Sequence, residues 1–198
     1  MGGAMGFTLV ESMAVLFIVI ALAAISMPAI RTGISHHKLA NALDTFVNQV
    51  EFARSQAAAR NRAYRLLVVL GSGDTRGSIT LTEGFSSLCT PDNFATDGAG
   101  AGDAIQDVRS IDFATDHPNV LIRDLLPSSI ETEGICLKPD GRVLEINTLG
   151  GTVLPAEPGY AAGEAMYELE LLNGNGQATG LVQKVIVPYN GIPRVEVP

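Results

Sequence analysis

An α+β fold, with a long N-terminal helix packed on antiparallel sheet, is predicted by three features of the 198-residue sequence. Residues 12–30 form a run of 19 without a single charge. A stripe of apolar residues at helical spacing follows over residues 39–57, and no proline or glycine interrupts residues 34–63. Beyond it come short β-branched and aliphatic runs separated by Pro-Asp-Gly and Asn-Gly turns. The length fits one ordinary domain plus some extra chain. With 46% apolar and 17% charged residues a packed core is within reach, and wholesale disorder is excluded. The net charge of −8 argues against a general polyanion binder. That charge is unevenly spread: residues 1–65 hold 6 basic and 3 acidic side chains, residues 66–198 hold 7 and 18. Two cysteines and three histidines leave little for a zinc site.

The charge-free run, as a helix, spans about 28 Å, close to the hydrocarbon thickness of a bilayer. A secretory signal peptide is one reading, and Ala23-Ala24-Ile25-Ser26 offers small residues for cleavage. It needs a basic segment ahead of the apolar run, but no Lys or Arg precedes it and Glu11 stands there instead. A plain transmembrane anchor also fits the composition.

The order of residues gives a third reading. Gly6-Phe7-Thr8-Leu9-Val10-Glu11 before an apolar helix resembles the type III signal of type IV pilins and type II secretion pseudopilins. The resemblance implies a leader, residues 1–6, cut by a prepilin peptidase between Gly6 and Phe7, with Phe7 the N-methylated first residue. Gly6 suits that place because it lets a peptidase approach the backbone closely. The leader departs from the family in lacking a basic residue, so the positive-inside signal is weak. The implied location is a single pass through the inner membrane over residues 7–30, with a periplasmic head, followed by incorporation into a pilus or pseudopilus.

Glu11 has its own physics. A carboxylate inside a membrane helix costs about 2.5–3.5 kcal/mol at the centre and less near the interface, and it marks a functional site by default. No cationic side chain follows within 19 residues, whereas leader removal frees an α-amino group at Phe7. Glu11 is therefore expected to pair with the Phe7 amine of an adjacent subunit during assembly; the alternative is a carboxylate snorkelling to the headgroups. Pro28 removes the helical bond to the Ala24 carbonyl, which predicts a kink or local loosening. Pilins commonly carry a proline near this point, so Pro28 joins Glu11 as an expected assembly residue.

The helix continues past the membrane. Leu39, Leu43, Phe46, Val50, Ala53 and Ala57 make one apolar stripe, with Lys38, Asp44, Gln49, Glu51 and Arg54 between them. The simplest structure is one helix over residues 7–61, roughly 80 Å long, with residues 31–62 as its amphipathic continuation. Phe52-Ala53-Arg54-Ser55-Gln56-Ala57-Ala58-Ala59-Arg60-Asn61-Arg62 before an apolar strand looks like the GspH/FimT subgroup of minor pilins. The likeness is dense over residues 6–70. It survives later only as Lys138-Pro139-Asp140-Gly141-Arg142-Val143 and Lys184-Val185-Ile186-Val187 before Gly191. Arg54, Arg60, Arg62 and Arg65 gather at the helix end, where cations suit the dipole.

Residues 63–198 read as a β-rich head. Strands are expected over residues 64–70, 78–82, 135–138, 143–146, 167–172 and 181–187, with hairpins at Pro139-Asp140-Gly141 and at Asn173-Gly174-Asn175-Gly176. Residues 89–134, rich in Asp, Gly and Ala, read as a long variable insertion. Cys89 and Cys136 can oxidise together if the head lies outside the cytoplasm. Closing that loop would stabilise the fold by about 4 kcal/mol in the chain-entropy model. Two buried thiols are the alternative.

Other constellations do not assemble into chemistry. Ser35-His36-His37-Lys38 matches S-x-x-K, but the accompanying K-T-G is absent. Adjacent His36 and His37 point in different directions on a helix. Gly71-Ser72-Gly73 is a turn, since no phosphate-binding pattern follows. Asp92, Asp97, Asp103, Asp107, Asp112 and Asp116 lack the spacing of a calcium loop. No catalytic residues, metal or cofactor are predicted, and the chain is not expected to be an enzyme. Some members of the FimT subgroup bind DNA through a C-terminal Gly-Arg-x-Arg. Here Gly191-Ile192-Pro193-Arg194 keeps one arginine, Arg194, on an acidic domain, so nucleic acid is an unfavoured partner. The expected function is that of a minor pilin of a type IV pilus, initiating or at the tip. A minor pseudopilin of a type II secretion system is the alternative. The expected partners are other pilins of the fibre, the prepilin peptidase, the inner membrane and the assembly platform.

Overall fold

The computed structural model describes residues 9–95, 107–156, 161–190 and 192–196; the side chains of residues 25–32, 35 and 107 lie outside that description. The chain is α+β. Helix α1 (Leu9–Arg60) is followed by strands β1 (Tyr64–Val69) and β2 (Ser78–Glu83), then a 3-10 turn at Pro91–Phe94. Next come β3 (Asp107–Asp112), a one-turn helix α2 (Phe113–Asp116), β4 (Val120–Leu126) and a second short helix, α3 (Ile130–Glu133). The chain closes with β5 (Ile135–Leu137), β6 (Val143–Glu145), β7 (Glu164–Leu172), β8 (Ala178–Pro188) and β9 (Arg194–Glu196). Two compact units divide the chain, Met1–His37 and Lys38–Pro198.

In the second unit two antiparallel sheets share a core with residues 38–60 of α1. One sheet has the order β3-β2-β1-β5-β6 and the other β4-β7-β8-β9. All six stripe residues, Leu39, Leu43, Phe46, Val50, Ala53 and Ala57, are buried, joined by Tyr64, Leu66 and Val68 of β1 and by Tyr167, Leu169, Val185 and Val187 of the other sheet. Phe46 meets Tyr167 with ring centroids 4.8 Å apart, a spacing within the range of favourable tilted pairs. The buried face is wider than the stripe: Ala42 and Gln49 are also enclosed, because residues 42, 46, 49 and 53 make a second row at spacings of four and three. Gln49, one of the polar positions between the stripe residues, is only 1% exposed.

Local chemistry sets the element ends. Asn61 has φ 54°, the left-handed position just past the helix where asparagine and glycine are tolerated. The Pro139-Asp140-Gly141 turn joins β5 to β6 in the register Ile135↔Glu145 to Leu137↔Val143, with Gly141 at φ 84°. The second predicted hairpin joins β7 to β8, pairing Leu172 with Ala178. Residues 107–134, taken from sequence as part of an insertion, are structural: β3 pairs with β2, and β4 pairs with β7. Residues 97 and 103, two of the aspartates considered above, lie outside the described residues.

The two faces of β5 serve two cores, as period-2 alternation dictates. Ile135 and Leu137 join the main core, while Cys136 points to a smaller cluster with Ala63, Cys89, Phe94, Leu144 and Ile146. Cys89 and Cys136 form a disulfide there, with Cα atoms 5.8 Å apart, and both are fully buried.

Candidate functional site

The first unit presents apolar surface. From Leu9 to Leu22 every large aliphatic or aromatic side chain is at least half exposed, with Leu9 at 77% and Phe17 at 74%. A helix apolar around its circumference is at home in lipid or among other helices, not in water. Glu11 sits in the first turn of α1, where a carboxylate favours the helix dipole. Gly6 and Phe7 lie outside the described residues, and so does the side chain of Pro28; the helix backbone runs through position 28. Among the described residues no helix is long and apolar enough to cross a membrane.

The arginines of the helix end are engaged within the head. Arg60 Nη1 lies 2.6 Å from Glu83 Oε2, and Arg62 Nη1 lies 3.4 Å from Glu83 Oε1. Arg54 Nη2 donates to the Gly141 carbonyl at 3.0 Å, fastening the β5–β6 turn to the helix. The Arg65 guanidinium lies over the Phe94 ring at 5.6 Å. Arg194 is held in the same way. Its Nη2 is 2.9 Å from Glu164 Oε1 and its Nε is 3.4 Å from Glu196 Oε1. Hydrogen bonding to Glu164 raises the guanidinium further above its already high ordinary value. Two carboxylates beside the one candidate phosphate-binding arginine oppose the approach of DNA.

The remaining candidates are structural or surface features. Asp112 caps α2, accepting from Ala114 N at 2.9 Å and from Thr115 Oγ1 at 3.2 Å. Among the described residues no group of His, Cys, Asp or Glu could hold a metal ion. His36, His37 and Lys38 are exposed. An open cleft of about 390 Å³ is lined by Lys38, Asn41, Asp116, His117, Pro118, Asn119 and Val120. Sequence reasoning passed over His117. The Thr45 hydroxyl donates to the Asn41 carbonyl at 2.8 Å, so it accepts from His117 Nε2 at 3.2 Å, which places the neutral imidazole's proton on Nε2. Burial lowers the His117 pKa below its ordinary value, with Asp116 opposing the shift.

No protein-family model matches the chain, and no curated protein matches it. Its structure is similar to the crystal structure of the type IV minor pilin FimU of Pseudomonas aeruginosa (strain PAO1), at 14% identity over 82% of this chain and 90% of that chain, with a TM-score of 0.42.

Proposed function

We propose that the protein is a minor pilin of a type IV pilus, built into a helical fibre through its N-terminal helix and placed in the initiating or tip complex. The observation that carries this reading is the exposed apolar surface of residues 9–22, on a helix whose stripe from Leu39 onward is buried in a head. Fully burying a large apolar side chain stabilises by about 1.5–3 kcal/mol, so a row of them demands a covering medium. On this reading lipid covers them before assembly and sister helices afterwards. Lipid tails are as apolar as leucine, so exchanging one for the other contributes little by hydrophobicity alone. A polar contact must then select the register, and Glu11 opposite a neighbour's Phe7 amine supplies it.

The rest of the life cycle follows from that assignment. Prepilin peptidase removes residues 1–6 after Gly6, and Phe7 is methylated with its positive charge kept. Residues 7–30 hold the chain in the inner membrane, the head lies in the periplasm, and the assembly platform passes the subunit into the fibre. The buried Cys89–Cys136 disulfide agrees with a head outside the cytoplasm, where such bonds persist. The work is binding, with no catalytic role. Glu11→Ala tests the reading: the variant should reach the membrane at normal abundance while its share in sheared fibres falls at least tenfold. Incorporation equal to the parent chain would end the pairing idea.

A further inference from the structure

The cleft between α1 and the corner joining α2 to β4, all of it within the second unit, holds two opposite charges that are not spent on each other. Lys38 lines it from α1 and Asp116 from the corner, and among the described residues neither forms an ion pair. Elsewhere in the head Arg60, Arg142, Lys184 and Arg194 each meet a carboxylate. Asn41 and Asn119 add two amides to the same lining.

His117 is the next polar group, and its tautomer is set by geometry. Nε2 carries the proton donated to Thr45 Oγ1, so Nδ1 holds a lone pair. That lone pair has no hydrogen-bond partner among the described residues. Burial favours the neutral ring against the pull of Asp116, and the Phe113 ring packs on the imidazole with centroids 5.1 Å apart.

The corner is preformed. Arg76 Nε donates to the Pro118 carbonyl at 3.1 Å and Leu172 N to the Asn119 carbonyl at 2.7 Å. His117 N donates to the Phe113 carbonyl at 3.0 Å, and Val120 N to the His117 carbonyl at 2.9 Å. A ligand that enters has little chain left to order, which removes a main cost of binding. The volume of about 390 Å³ falls within the range of small-molecule sites, about 300–1,000 Å³.

The charges select the occupant. A simple anion would meet Lys38 but be repelled by Asp116, and a simple cation would suffer the reverse. A molecule that carries both charges satisfies both. Because Asp116 and Nδ1 accept hydrogen bonds, the cationic end must itself bear N–H, as a primary ammonium does and a trimethylated one does not.

We propose that this cleft binds a small zwitterion, its primary ammonium held by Asp116 and His117 Nδ1 and its oxyanion by Lys38 and Asn41. Phosphoethanolamine has this pattern, whether as the headgroup of a lipid or as a free ester. Nothing in such binding depends on assembly into a fibre, so a chain that never polymerises still tests it.

The experiment titrates the full-length chain, in phosphatidylcholine nanodiscs, with glycerophosphoethanolamine. The readouts are the dissociation constant and the resonances of the isotope-labelled His117 ring nitrogens. Binding should saturate, and the Nδ1 resonance should shift as its lone pair is taken up. Glycerophosphocholine, without N–H, should bind at least tenfold more weakly. Asp116→Asn and Lys38→Gln should each weaken binding at least tenfold with the thermal midpoint unchanged, while Glu131→Gln, at an exposed site on α3, leaves it intact. Nanodiscs of phosphatidylethanolamine separate the two sources: a shifted Nδ1 resonance before any addition marks the lipid headgroup, and an unshifted one marks the free ester. Failure to saturate, an Nδ1 resonance that stays in place, equal affinity for glycerophosphocholine, or binding untouched by Asp116→Asn or Lys38→Gln would each overturn the assignment.

Discussion

Replacing both cysteines, Cys89→Ser with Cys136→Ser, measures how far the head depends on its covalent staple. The bridge closes a loop across a sequence separation of 47, for which the chain-entropy relation gives about 4 kcal/mol at 25 °C. Engineered bridges often fall short of that figure, so about 2–4 kcal/mol is the working range. The smaller core offers little to compensate, since among the described residues it holds, besides the cysteines, only Ala63, Phe94, Leu144 and Ile146, with Tyr189 against it. With a urea m-value of about 2 kcal/mol/M, the midpoint should fall by about 1–2 M. The assay is urea unfolding of the full chain in detergent, followed by head fluorescence, with and without reductant. The serine variant should also show a larger m-value, because its denatured state is no longer cross-linked. A midpoint within about 0.3 M of the parent would refute the reasoning, since it would show that the loop carries no entropy to lose.

Other outcomes follow from single groups. The Tyr167 hydroxyl is fully buried without a hydrogen-bond partner among the described residues, so Tyr167→Phe should stabilise the head by about 1–3 kcal/mol; a lowered thermal midpoint would contradict this. Gln49 has both amide atoms buried and unpartnered among the described residues, and Gln49→Leu should likewise raise the urea midpoint by a few tenths of a molar or more. His117 has a folded pKa below the ordinary value of about 6.5, so the unfolded state binds its proton first. Its stabilisation is therefore complete above pH 6.5 and lost as pH falls through the folded value. His117→Asn should lose less stability than the parent between pH 7.5 and pH 5, and an unchanged difference would sink the assignment.

Much of the fold was legible because burial repeats at fixed periods. The stripe from Leu39 to Ala57 reads directly as a helix face, and Pro139-Asp140-Gly141 names its turn because only a few residues take those dihedrals. Gln49 shows that polarity alone does not mark exposure, since its spacing from Phe46 and Ala53 puts it on the buried face. Residues 107–134 were read as an insertion for two physical reasons. Strand β3 is an edge strand whose Asp107, Arg109 and Asp112 break the apolar alternation, as exposed edges commonly do. Strand β4 carries a register shift between Ile122 and Asp124 that displaces its pattern by one residue. The N-terminal residues were read through motif order and charge, whereas the smaller core around the disulfide needs distant segments brought together. Nothing in a linear pattern shows that Asn147 ties its turn to the Cys89 loop.

The central claim is that one N-terminal rod serves first as a membrane anchor and then as the spine of a fibre. Intact mass and terminal fragmentation of the mature chain, recovered from sheared fibres, test it most directly. The account predicts a chain that starts at N-methylated Phe7, without residues 1–6. A mature product that still begins at Met1 and is found only outside any polymer would contradict it.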